Sequence, residues 1–208
     1  MEQVLDLYAQ PYEPQRPVVC FDELSKELHA EVQPAIAAAP GRPRLEDYEY
    51  ERRGTANLFM MCCPLRGWRQ VVVTAQRTYQ DVARQWRDLV DVHFPKAKEI
   101  RLVLDNLNTH TPGALYETFA PKEAKRILKR LSFIYTPKHA SWLNIAEMEW
   151  SVLTRQVLDQ RIDDIPTLKR SVKAWTKLRN TAKTTTQWCF RTSKARITLK
   201  HLYPSPSK

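Results

Sequence analysis

With 208 residues, 43% of them apolar, the chain is long enough for one domain with a sizeable core and too apolar for a disordered segment. Its longest apolar stretches are of strand length and nothing resembles a signal peptide, which argues against a membrane span and for a cytoplasmic protein. The net charge of +10 is one-sided, since residues 165–208 carry eleven Lys or Arg and no Asp or Glu. Clustered cations gain affinity for a polyanion by counterion release, so nucleic acid is the expected partner; a solvated charged face is the plainer alternative. Cys20, Cys62, Cys63 and Cys189 have no C-x-x-C spacing and read as reduced core thiols rather than a zinc site.

Residues 1–15 begin with a short amphipathic pattern (Val4, Leu5, Tyr8) and break into PYEPQRP, which reads as the remnant of a linker. The apolar run Val18-Val-Cys-Phe21 then delivers Asp22, and Lys26–Val32 reads as a partner strand. Residues 33–44 form a Pro-punctuated loop whose Arg42 and Arg44 could touch phosphate, although exposed loop arginines are usually idle. Thr55–Cys63 and Trp68–Thr74, joined by Pro64-Leu-Arg-Gly67, predict an antiparallel hairpin with the glycine in its turn. Val82, Trp86, Leu89 and Val90 recur at helical spacing between Thr78 and Phe94.

Arg101-Leu-Val-Leu104 is a short apolar run closed by the polar turn Asp105-Asn-Leu-Asn-Thr-His110. It predicts a strand buried on both faces, and such sheets bind ligands beyond the carboxyl ends of their strands. From Pro121 to Leu131 a helix is expected to bury Ala124, Ile127, Leu128 and Leu131 and to present Lys122, Lys125, Arg126, Lys129 and Arg130 as a basic ridge. Phe133-Ile-Tyr135 is the next strand, and a helix follows from Ser141. On that helix Glu149 has the apolar neighbours Ile145, Ala146, Val152 and Leu153, whereas Glu147 shares a polar seam with Asn144 and Ser151. The two acids lie about 160° apart around the helix, so one alone can face a site; Glu147 suits a metal ligand, and Glu149 suits a pairing with arginine. Residues Pro166–Arg179 predict a second amphipathic helix, with Leu168, Val172, Trp175 and Leu178 inward and Lys169, Arg170, Lys173 and Lys177 outward, capped by Asp163 or Asp164. Thr184–Pro204 intersperses Trp188, Phe190 and Ile197 with cations and is expected to pack back on the domain.

Three carboxylates delivered by two strands and one helix are what a two-metal phosphoryl-transfer site requires, because hard divalent cations take charged oxygen ligands. A capping or turn role for each aspartate is the bland alternative. Asp22 in VVCFDE, Asp105 in LVLDNLNTH and the Asn-x-x-Glu of SWLNIAE resemble the acidic triad of bacterial insertion-sequence transposases of the mariner-like DDE superfamily. The resemblance runs from residue 16 to 203 and includes Asn106 directly after the second aspartate and His110 five residues after it. One departure stands out: 41 residues separate Asp105 from Glu147, more than is usual in mariner-type members.

The order β, β, β, α, β, α, β, α is that of an α/β, ribonuclease H-like fold, a mixed five-stranded sheet flanked by helices. It is expected over residues 16–160, with residues 161–208 as a basic helical extension packed on the same domain. The resemblance implies two Mg²⁺ ions, with Mn²⁺ as a substitute, held by Asp22, Asp105 and Glu147. It implies that Asn106, His110 and Asn144 orient those ligands or the DNA, and that the basic residues of both helices contact DNA. It further implies cleavage of transposon ends, transfer of the freed 3′-hydroxyl to target DNA, commonly at TA, and a homodimer that pairs two ends in the bacterial nucleoid. A helix-turn-helix region that grips the inverted repeats would lie upstream. A ribonuclease H-like nuclease that cuts without joining, or a DNA-binding remnant without chemistry, are the alternatives.

Overall fold

β1 (Val18–Glu31), β2 (Tyr50–Cys63) and β3 (Trp68–Thr74) pair antiparallel in succession, and β4 (Ile100–Leu104) and β5 (Leu131–Tyr135) add parallel to β1 and to each other. The sheet order is β3-β2-β1-β4-β5. The computed structural model describes residues 1–43, 45, 47–138 and 140–203. Arg44 and Pro204, expected in the basic loop and in the last stretch, lie outside these residues.

The β2–β3 hairpin turns through one 3₁₀ turn, Pro64–Arg66, with Gly67 at φ +65°. A side chain there would also collide with the Lys183 backbone, which comes within 2.6 Å of where a Cβ would stand. Lys26–Val32 is not a separate strand: no Gly or Pro interrupts the chain after Asp22, and β1 simply continues to Glu31, 14 residues in all, paired with β2 from Cys20 onward with a register irregularity between Glu27 and His29.

Alternation along the strands divides the core in two. Cys20, Leu58, Met60, Cys62, Val71 and Val103 face one side; Val19, Phe21, Phe59, Met61, Leu102 and Leu104 face the other. The second side is covered by α2 (Tyr79–Asp88), α3 (Gly113–Thr118) and α4 (Pro121–Leu128), through Val82, Trp86, Leu115 and Ile127. A capping box between Thr78 and Asp81 starts α2, and a wider turn over Leu89–His93 continues it. α4 ends earlier than its apolar pattern suggested, because Leu131 belongs to β5. α3 has no counterpart among the elements expected from sequence.

The first side is covered by α1 (Glu2–Tyr8), α5 (Ile145–Leu153), α6 (Ile165–Thr181) and α7 (Thr192–Thr198). The opening residues are therefore not linker throughout. A seven-residue helix is unstable alone, but burial of Val4 and Leu5 contributes on the order of 3–6 kcal/mol and holds it in the core. α6 starts at the Asp164 cap and buries Leu168, Val172 and Trp175. Leu178 is instead 69% exposed, having drifted off the stripe, and the inward turn is taken by Thr176. The last stretch does fold back: Ala195 is buried, Arg196 pairs with Glu2 at 2.6 Å, and Trp188 lies 5.5 Å from Tyr8. Cys20, Cys62 and Cys63 are buried free thiols, while Cys189 is exposed rather than in the core. Among the described residues no helix is long and apolar enough to cross a membrane.

Candidate active site

β1 and β4 pair in parallel up to Cys20 opposite Val103. Asp22 and Asp105 each follow two residues later, so period-two alternation puts them side by side and on the α5 side of the sheet. α5 is fastened there by Asn144, whose Nδ2 donates to the Phe21 carbonyl at 2.8 Å while its Oδ1 caps the Ala146 amide at 3.2 Å. Asn144 is thus a buried anchor, not part of a wet seam. It brings the first turn of α5, with exposed Glu147, toward the two aspartates.

Burial, reinforced by the neighbouring Glu147 and Asp105 carboxylates, pushes the Asp22 carboxyl up to about 7. A buried carboxylate destabilised by two neighbouring acids is part of a donor set suited to a divalent cation, which would relieve that repulsion. Among the described residues no three His, Cys, Asp or Glu side chains are already drawn together as a metal-binding group. Glu147 points into solvent, and Asp105 is held from the other side by an imidazole.

That imidazole is His110, wholly buried, with Nδ1 2.5 Å from Asp105 Oδ1 and Nε2 3.1 Å from Glu23 Oε1. Burial alone would depress its pKa, but the hydrogen bonds with Asp105 and Glu23 prevail and raise it to about 9, so both ring nitrogens donate. Burial raises the Asp105 carboxyl, yet His110 and the Leu107 amide hold it below the usual value. The His110 ring meets Phe21 edge-on at 5.1 Å, and its carbonyl accepts from Tyr135 Oη at 2.8 Å. Asn106 Nδ2 donates to the Thr136 carbonyl at 2.6 Å and ties the end of β4 to the end of β5.

Two residues here escape a reading of the sequence. Glu23, next to Asp22, points to the opposite face and is the second partner of His110. Arg77, on the loop between β3 and α2, lies 3.5 Å from Glu23 Oε2 through its Nε. An acid directly following another acid and a lone loop arginine carry no periodic signal.

Glu149 is buried against Arg69 Nη2 at 2.8 Å and Arg179 Nη2 at 3.1 Å. It has the arginine pairing expected of it and is turned away from Asp22. Of the basic residues, Lys122, Lys125, Arg126 and Lys129 are exposed on α4, but Arg126 holds Asp91 with two bonds of 2.7 and 2.8 Å and half-buried Arg130 donates to the Phe94 carbonyl. Lys169, Arg170 and Lys173 are exposed on α6, where Lys169 and Lys173 line a groove of about 550 Å³ against β3.

A family profile described as DDE superfamily endonuclease matches residues 17–169, a span that includes Asp22, Asp105 and Glu147. The chain belongs to the DDE superfamily of endonucleases. Among solved structures, this DDE endonuclease is similar to the Mos1 mariner paired end complex with Mn, at 15% identity and a TM-score of 0.57 over 88% of this chain and 54% of that one. It is similar to a pre-cleavage Mos1 transpososome at 14% identity and a TM-score of 0.55, covering 88% and 59%. The Mos1 strand transfer complex gives 14% and 0.56, covering 88% and 55%. At these identities the similarity is one of fold, the ribonuclease H-like arrangement of a mixed five-stranded sheet between helices. The chain spans 54–59% of the length of these transposase chains. No match to a curated protein is found.

Proposed function

We propose that this DDE endonuclease is the catalytic part of a DNA transposase of bacterial insertion-sequence type, cleaving transposon ends and transferring the freed 3′-hydroxyl to target DNA. The observation that carries this reading is the juxtaposition of Asp22 and Asp105 two residues beyond the last parallel β1–β4 pair, with Glu147 close enough to raise Asp22's proton affinity. Asp22, Asp105 and Glu147 would hold two Mg²⁺ ions, or Mn²⁺ in their place. When bound, such ions lower the pKa of a water or 3′-hydroxyl and counter the charge on the leaving oxygen in an in-line displacement at phosphorus.

The chain's own residues do the rest. His110 fixes Asp105 by its Oδ1, with Glu23 holding the far side of the ring. Asn144 sets the position of α5 and hence of Glu147. No protein nucleophile is needed. The cations of residues 165–208 and of α4 are offered to the DNA backbone, as a homodimer pairing two ends would require, in a bacterial cytoplasm where the nucleoid is the polyanion at hand.

The test is incubation of the chain with a duplex and Mg²⁺, scoring both nicked and joined strands. Joined strands support transposition. Nicks without joining favour a plain nuclease, and binding with no metal-dependent product favours a remnant.

A further inference from the structure

The loop between β3 and α2 places Arg77 beside Glu23 of β1, in the lining of a cleft of about 270 Å³ together with Asn106, Leu107, Asn108 and Thr109. The cleft adjoins Asp105 through Asn106, and the Arg77 charge is felt at the Asp105 carboxyl. We propose that Arg77 is a phosphate-contacting residue, seating a phosphodiester of the substrate strand in this cleft beside Asp105. The inference rests on the transposase reading for its ligand, DNA, and adds a residue and a subsite to it.

A guanidinium serving only to neutralise a buried carboxylate makes short, often bidentate bonds of about 2.7–2.9 Å. Arg77 does not. Its single ion pair runs through Nε at 3.5 Å, with the side chain 44% exposed, while Glu23 is 1% exposed. Glu23 Oε2 accepts no hydrogen bond. Both terminal nitrogens of Arg77 have no partner among the described residues. The edge left open, with its two terminal nitrogens, is the part of arginine that matches two oxygens of a phosphate. The cleft is also lined by Asn108 and Thr109, residue types that commonly donate to DNA backbones. Glu23 pairs with Nε and so leaves both terminal nitrogens for an incoming phosphate.

The experiment is binding of a generic duplex across a range of salt concentrations by wild type, Arg77→Ala, Arg77→Lys and Arg77→Ala/Glu23→Gln, with thermal melts of each. Each phosphate that is no longer neutralised lowers the log–log salt slope by about 0.9. The expected result is that drop and a several-fold weaker affinity for Arg77→Ala. Arg77→Lys should retain the slope with reduced affinity, since it keeps the charge and loses the fork. The double variant should bind as poorly as Arg77→Ala. An unchanged slope in a folded Arg77→Ala, or binding restored by the second substitution, would mean that Arg77 merely shields Glu23 and overturns the inference while leaving the transposase reading intact. A wild type that binds no DNA brings down both together.

Discussion

Arg69 and Glu149 meet at 2.8 Å with side chains 1% and 4% exposed, and Arg179 closes on the same carboxylate at 3.1 Å. Arg69 also donates to the Thr184 carbonyl at 2.8 Å, so the cluster bolts α5 to β3 and to the chain leaving α6. Removing one partner of a buried ion pair strands the other charge, which costs about 3–5 kcal/mol. Glu149→Ala should therefore lower the melting temperature sharply. Glu147→Ala, at an exposed position, should change stability by no more than about 0.5 kcal/mol yet abolish metal-dependent cleavage. Melts and a cleavage assay on both variants separate the two acids, and the opposite pattern would exchange their roles.

Asp105→Asn keeps an oxygen for the His110 and Leu107 contacts and removes the negative charge. Cleavage should fall to background while DNA binding stays the same or tightens, because one fewer anion faces the phosphates. A mobility-shift assay beside the cleavage assay decides it. Joint loss of binding and activity would make Asp105 a structural residue.

β3, β4, β5 and the β2–β3 hairpin were legible because apolar runs of strand length are bounded by proline, glycine and polar turns, whereas the unbroken length of β1 was not. The burial of Glu149 and its arginine pairing were legible too, since its apolar neighbours forecast both. What sequence could not supply was whatever depends on contacts between distant segments. α1 looked like linker because its burial is conferred by residues far along the chain, such as Leu143, whose carbonyl accepts from Tyr8 Oη at 2.9 Å. Asn144 looked wet because its partner, the Phe21 carbonyl, lies on another strand. Glu23 was hidden by a more conspicuous neighbour, and only the fold brings His110 between it and Asp105.

His110 gives the metal-free protein a pH signature. Its folded pKa of about 9 lies above the ordinary value of 6.5, so the stabilisation from its protonated form is complete below about pH 6.5 and is lost as pH rises through 9. The loss should be on the order of a few kcal/mol. Denaturant unfolding of the chelator-treated protein should show wild type weakening between pH 6.5 and 9.5, and His110→Gln should flatten that dependence. Equal slopes in the two proteins would mean that His110 is neutral in the fold.

The two basic helices should not contribute equally to DNA binding. α6 packs on the face of the sheet that carries Asp22 and Asp105, whereas α4 covers the opposite face. α4 also spends part of its charge internally, with Arg126 on Asp91 and Arg130 on the Phe94 carbonyl. A duplex lying over the carboxylates reaches Lys169, Arg170 and Lys173 more readily than Lys122, Lys125 and Lys129. Replacing the three α6 cations with glutamine should weaken binding at every sequence and lower the salt slope by about 0.9 for each phosphate those side chains had neutralised. The matching α4 triple variant should keep most of the slope, and Arg126→Gln should forfeit only a surface ion pair worth less than about 1 kcal/mol. If the α4 variant shows the larger drop in slope, DNA runs along the other face, and the carboxylates must meet it at the sheet's edge rather than from above α5.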